Sequence, residues 1–389
     1  MLKLGKVVSQ LARHRERWNE LLRSAKTQTG AYDTTAASRL TEARGFGSNP
    51  GALRMFTYVP PRLAETPALV VVLHGCTQSA ASYDRGTGWS TLADRYGFVV
   101  LLPEQQKSNN PNLCFNWFQP VDIGRGAGEA ASIAQMVEKA ANEHGVDRTR
   151  IFVTGLSAGG AMTSVLLATY PDLFAAGAVI AGLPHGGATN VQEAFERMFQ
   201  SPPRPARAWG DLVRAASPHR GPWPRLSVWH GDADKTVVPA NAVEIVKQWT
   251  DVHGLPSAPT FTESVGGYPR QVWRNAAGED VIESYRITRM AHGAPLAVGS
   301  AEDQCGTAGP FLLDVGLSST VRIAAFWGLT ETQAFAETTA RADPPSAKLP
   351  EYAQAAAYFD NATARQPQAL DVKAIITQTL TAAGLMKSG

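Results

Sequence analysis

The sequence predicts an α/β fold, a doubly wound and mostly parallel sheet with helices on both faces. Three observations carry that prediction. The apolar runs Leu69–Leu73 and Phe98–Leu102 are unbroken, as in strands buried on both faces. Helix-periodic segments alternate with such runs, which implies right-handed crossovers between parallel strands. The β-branched stretch from Ile151 ends in Gly155-Leu156-Ser157-Ala158-Gly159 and continues into an alanine-rich, helix-favouring segment. That is the strand–turn–helix setting of an exposed nucleophilic serine.

The elements follow in order. Arg54–Val59, Leu69–Leu73 and Phe98–Leu102 read as strands, the last ended by Pro103. Between the second and third, Ser90–Tyr96 reads as a helix. Ala130–His144 is a stronger helix, with Ile133, Met136, Val137 and Ala140 on one face. The strand from Ile151, the helix after Ser157 and a short strand at Ala178–Ala181 come next. Arg225–His230 reads as a strand and Ala240–His253 as a helix. Tyr268–Met290 reads as a hairpin turning at Asn275-Ala276-Ala277-Gly278. Residues 191–224, a short helix and then a Pro- and Trp-containing segment, break the alternation and read as a small cap over the site. No internal repeat is visible.

The boundaries expected are an N-terminal helical arm (1–48), a catalytic domain (49–329) and a C-terminal helical extension (330–389). In the arm, Leu2, Leu4, Val8, Leu11, Trp18, Leu21 and Leu22 recur at loosely helical spacing. Residues 30–50 read as a linker or irregular arm. Of the 389 residues, 44% are hydrophobic and 18% charged, which suits a packed core rather than a disordered chain. A formal net charge of +2 gives no reason to expect nucleic acid or a membrane surface as partner. No apolar run reaches transmembrane length. The N-terminus lacks a continuous apolar core and a small-residue cleavage site, so no secretory leader is expected. Oligomeric state is open. Cys76, Cys114 and Cys305 do not make a disulfide scaffold, and no metal-ligand spacing is present.

The chemistry is read outward from Ser157. Glycines two positions to either side of it relieve the clash a sharp turn would create. The helix that follows points backbone N–H groups at a developing oxyanion. A serine hydroxyl needs a base, and the base needs an orienting acid, in the chain order Ser, Asp or Glu, His. His219, His230, His253 and His292 follow Ser157 by a long interval. His219 and His230 precede a suitable acid, and His253 closes a helix. His292 stands after a strand beside Gly293 and is taken as the general base. Val228–Asp234 supplies two candidate acids. Asp232 suits the turn itself and Asp234 is then free to reach the histidine, so Asp234 is preferred. The oxyanion hole needs two backbone donors, expected from Ala158 and from Cys76 in the His74–Gln78 loop. The mechanism calls for no metal and no organic cofactor.

Four segments together, Leu73–Gln78 (LHGCTQ), Cys114–Phe118 (CFNWF), Gly155–Met162 (GLSAGGAM) and Trp229–Asp234 (WHGDAD), resemble the polyhydroxybutyrate depolymerase family of esterases, which has feruloyl and acetylxylan esterase relatives. The resemblance spans roughly Asn49 to Leu329. It implies an α/β-hydrolase fold, the triad Ser157–Asp234–His292 and an oxyanion loop at Cys76. It also implies a Cys76–Cys114 disulfide, with Cys305 left over. Such a bond points to an extracellular or periplasmic compartment, whereas the missing leader points to the cytoplasm. Gln78 and Trp117 are substrate-binding candidates. The expected substrates are polyhydroxybutyrate-like polyesters, their oligomers or short-chain esters. The alternatives are feruloyl or acetylxylan esters, then peptides cleaved by a serine peptidase of the same fold. The tail beyond Thr330 is too short and helical for a separate polymer-binding domain, so attack on crystalline polymer is not expected.

Overall fold

The computed structural model of the chain describes residues 38–331, all within one compact unit. Residues 1–37 of the expected arm (1–48) and 332–389 of the expected extension (330–389) lie outside the described residues. Within these limits the sheet has ten strands. They are β1 (Thr41–Ala43), β2 (Arg54–Tyr58), β3 (Leu69–Leu73), β4 (Val99–Glu104), β5 (Ile151–Leu156), β6 (Ala176–Ile180), β7 (Arg225–Gly231), β8 (Phe261–Val265), β9 (Tyr268–Arg274) and β10 (Asp280–Ile287). Their order is β1-β2-β4-β3-β5-β6-β7-β10-β9-β8. The central strands from β4 to β10 pair in parallel, and both edges are antiparallel. Two short parallel strands, β11 (Ala294–Leu296) and β12 (Leu312–Asp314), stand apart.

Period-2 alternation along each buried strand divides the core in two. Leu69, Val71, Leu73, Val99, Leu101, Ile151 and Val153 face one apolar layer. Val70, Val72, Val100, Leu102 and Phe152 face the other. The helices, numbered in chain order, are α1 (Ala80–Thr87), α2 (Trp89–Tyr96), α3 (Pro120–Ile123), α4 (Gly128–His144), α5 (Ala158–Thr169), α6 (Val191–Phe199), α7 (Ala206–Ala215), α8 (Ala240–Val252) and α9 (Ser319–Phe326). α4, α5 and α8 cover the first layer, and α1, α2 and α9 the second. This is the doubly wound arrangement expected.

Several details differ from the sequence reading. Pro103 lies inside β4 rather than ending it. It sits opposite Met55 of β2, beyond the point where pairing to β3 stops at Leu101, so its missing N–H breaks no ladder on that side. Residues 30–50 are not wholly irregular, since Thr41–Ala43 pairs with β2 as the edge strand. The hairpin at Tyr268–Met290 is present and turns where expected, but β8 extends it to a three-stranded edge. Helix α1, capped by Ser79 through Ser82, carries only Ala80, Ala81 and Tyr83 as apolar residues, too few to mark a helical period in the sequence.

Candidate active site

The turn after β5 is as sharp as the motif requires. Ser157 has φ 57° and ψ −116°, a positive-φ conformation that costs a non-glycine residue energy. Its amide donates to the Ile180 carbonyl at 2.9 Å, and Leu156 ends a strand paired on both sides. The flanking glycines are there for space. A Cβ on Gly155 would lie 2.4 Å from Gly159, and one on Gly159 would lie 2.3 Å from the Leu73 carbonyl oxygen.

The other two side chains arrive from neighbouring strand ends. β7 and β10 are parallel partners in register at Gly231 and Ile287, so the loops after them leave side by side. The loops are tied together. Asp232 N–H donates to the Ile287 carbonyl, Ala233 N–H to the Met290 carbonyl and Arg289 N–H to the Asp232 carboxylate. A Cβ on Gly231 would lie 2.2 Å from the Met290 oxygen, so only glycine lets the loop pass. The outcome is that His292 Nδ1 lies 2.7 Å from Asp234 Oδ2 and His292 Nε2 lies 2.9 Å from Ser157 Oγ. Exposures are 7% for Ser157, 3% for Asp234 and 9% for His292.

Asp234 Oδ1 also accepts the N–H groups of Thr236 and Val237. Burial works to raise the Asp234 carboxyl, but the charge and hydrogen bonds of His292 and His230 outweigh it and hold the group well below the usual carboxylate range. Asp232 is occupied with the Arg289 amide. The other two candidate bases stand elsewhere. His219 reaches the Pro222 carbonyl and His253 the Pro224 carbonyl.

The His74–Gln78 loop faces the serine. A disulfide joins Cys76 to Cys114. Thr77 N–H donates to the Asn112 carbonyl at 2.7 Å, and Gly75 N–H to Gln78 Oε1 at 2.8 Å. Among the described residues no protein acceptor takes the Cys76 amide. Ala158, as the first residue of α5, has no intrahelical acceptor for its own. Beneath the loop, the buried His74 ring donates to the Gly75 carbonyl and accepts from Gln105 N–H. Burial pushes it down to about 4, so it stays neutral. Gln105 and Asn116 in turn hydrogen-bond the buried carboxyl of Glu129.

A narrow pocket of about 160 Å³ opens on Ser157. Trp117, Phe118 and Cys114 form one wall, and Val191, Ala194, Phe195 and Met198 of α6 form another. Trp117, a substrate-binding candidate, lines this pocket. Gln78 does not line the pocket, because its side-chain oxygen braces the loop through Gly75. Of residues 191–224, expected as the cap, those of α6 border the pocket, whereas α7 packs on α8, with Trp209 donating to Glu244 and Arg214 paired with Asp251. The lining face of α6 has the spacing i, i+3, i+4, i+7, a signal available in the sequence. The polar lining residues Asn110 and Asn112 carried no such signal.

The esterase PHB depolymerase family model matches residues 53–266. The chain belongs to that family. It is a carboxylic ester hydrolase of the α/β-hydrolase fold. It is 47% identical over 300 residues to a poly(3-hydroxyalkanoate) depolymerase C of Paucimonas lemoignei, covering 77% of this chain and 72% of that protein. It is 37% identical over 272 residues to an acetylxylan esterase of Coprinopsis cinerea, covering 67% and 70%. Among solved structures, an acetyl xylan esterase from Aspergillus awamori superposes with a TM-score of 0.64 at 28% identity, covering 75% of this chain and 99% of that one. The matched family span ends before His292, which enters the site only through the β10 loop.

Proposed function

We propose that this esterase cleaves polyhydroxybutyrate-like polyesters, their oligomers or short-chain esters through an acyl-enzyme on Ser157. The observation that carries the reading is the unbroken chain of contacts from Ser157 Oγ to His292 to Asp234 at the base of an apolar pocket. His292 Nε2 takes the hydroxyl proton as Oγ attacks the ester carbonyl. Asp234 holds the Nδ1–H tautomer and balances the imidazolium. The N–H groups of Cys76 and Ala158 receive the oxyanion, and His292 returns its proton to the leaving alcohol. Water then repeats the sequence on the acyl-enzyme. The polyester reading draws on the 47% identical depolymerase and on a pocket lined mostly by apolar side chains.

A second reading has one observation in its favour. The aromatic wall of Trp117 and Phe118, packed edge to face, suits a flat aryl acyl group such as a ferulate. One panel separates the two: hydroxybutyrate oligomers, an amorphous polyester film, p-nitrophenyl butyrate, methyl ferulate and acetylated xylan. Turnover of oligomers, film or p-nitrophenyl butyrate above methyl ferulate and acetylated xylan supports the first reading. Preference for methyl ferulate or acetylated xylan replaces it, and Ser157→Ala retaining turnover would sink the mechanism.

A further inference from the structure

We propose that His230 is a positioning residue for the reaction, a second histidine on the Asp234 carboxylate that sets how strongly Asp234 engages His292. The inference rests on reading Ser157, His292 and Asp234 as the triad. His230 stands near the end of β7, 3% exposed, in no contact with the serine. Its Nε2 lies 2.8 Å from the Val237 carbonyl and 3.3 Å from Asp234 Oδ2, the oxygen that also meets His292 Nδ1. A carbonyl can only accept, so Nε2 carries a proton. Among the described residues the other ring nitrogen, which is buried, meets no hydrogen-bond partner, so this Nε2–H makes the ring's polar contacts there.

The geometry gives that N–H two tasks. It anchors the turn that presents the carboxylate, since Asp234 Oδ1 accepts from Thr236 and Val237 while the Val237 carbonyl returns to His230. It also shares the negative charge of Oδ2 with His292. The titratable groups facing Asp234 among the described residues are these two histidines, and Asp232 is turned to the Arg289 amide. Removing the His230 donor leaves the charge of Oδ2 to His292 alone. The imidazolium is then better stabilised, and His292 keeps its proton to higher pH. A base that stays protonated longer moves the acid limb of kcat/KM upward. The loosened turn lowers kcat as well.

The experiment compares His230→Phe, His230→Met and His230→Gln with the parent enzyme on p-nitrophenyl butyrate across pH, with thermal melts to show that each folds. Phe and Met remove the donor, whereas the Gln amide offers an N–H at similar reach. The expected result is a kcat loss of about tenfold in the Phe and Met variants, KM within about twofold and an acid limb displaced upward. Gln restores both kcat and the limb. An unmoved acid limb in both apolar variants, or the same displacement in Gln as in Phe, overturns the proposal and leaves His230 as packing. If Phe does not fold, Met decides. Asp234→Asn in the same series separates the two levels. Full activity there defeats the triad reading itself, whereas a dead Asp234→Asn beside a parent-like pH profile in the apolar variants defeats only the role of His230.

Discussion

Gly159 at the start of α5 passes so close to the Leu73 carbonyl oxygen that a Cβ there would stand 2.3 Å from it. Two candidate parts of the site meet at this contact. Leu73 ends the strand that leads into the Cys76 loop, and Gly159 belongs to the turn that exposes Ser157. The distance between the two proposed oxyanion donors is therefore set by backbone against backbone, with no side chain to adjust.

Gly159→Ala should lose both stability and turnover. The clash is with backbone and cannot be relieved by a rotamer change, so the strand and the helix must separate. Overpacking of this kind costs about 1–3 kcal/mol. A lowered melting temperature together with a reduced kcat on p-nitrophenyl butyrate is the expected pair of results. A fully active, parent-stable variant would mean that the contact is slack.

Asp234→Asn should reduce kcat by about 10⁴, because an amide can hold the wrong imidazole tautomer. Asp232→Asn should leave kcat within about threefold, since its oxygen can still accept the Arg289 N–H. Equal losses in steady-state assays of the two variants would contradict the division of roles between them.

Asp234 and Glu129 should act on stability in opposite directions with pH. Asp234 is held below its ordinary value, so its contribution is complete above about 3.8 and is lost as pH falls from there through the folded value. Burial, assisted by the nearby Asp122 charge, lifts Glu129 from 4.5 to about 8 against the hydrogen bonds of Asn116 and Gln105. A group raised in this way favours the folded protein in its protonated form, so its carboxylate costs stability progressively as pH rises from 4.5 to about 8. The melting-temperature advantage of the parent over Glu129→Gln should therefore shrink across that interval. An advantage that grows with pH would show that the carboxylate is the preferred buried form.

Opening the Cys76–Cys114 bond should weaken turnover before it unfolds the protein. The bridge closes a separation of 38 residues and ties the His74–Gln78 loop to the Trp117 wall. Loops of this length are worth about 2–4 kcal/mol when cross-linked. With Cys114→Ala, kcat on p-nitrophenyl butyrate should fall while circular dichroism at room temperature stays native. A parent-like kcat would show that Thr77–Asn112 and Gly75–Gln78 hold the loop unaided.

Much of the candidate site is legible in the sequence. Ser157 was readable because its turn is written in five consecutive residues. His292 was readable because chain order removed the other histidines. The pocket walls were less so. The amphipathic spacing of Val191, Ala194, Phe195 and Met198 marks a helix with one covered face, but not that the face covers a serine. Gln78 is ambiguous in the sequence, because a glutamine in such a loop can serve substrate or backbone, and the structure shows its oxygen accepting from Gly75 N–H.

The sequence by itself determined the local elements, the strained serine turn and the family, because backbone sterics and hydrophobic periodicity act over a few neighbouring residues. Tertiary structure alone decided which aspartate meets His292, that His230 lies against the same carboxylate, and which part of 191–224 borders the pocket. Ser157 and His292 are 135 residues apart and Asp234 and His292 are 58 apart. Their convergence depends on β7 and β10 lying side by side in register. That is a matter of strand order, a long-range pairing that no short run of residues encodes.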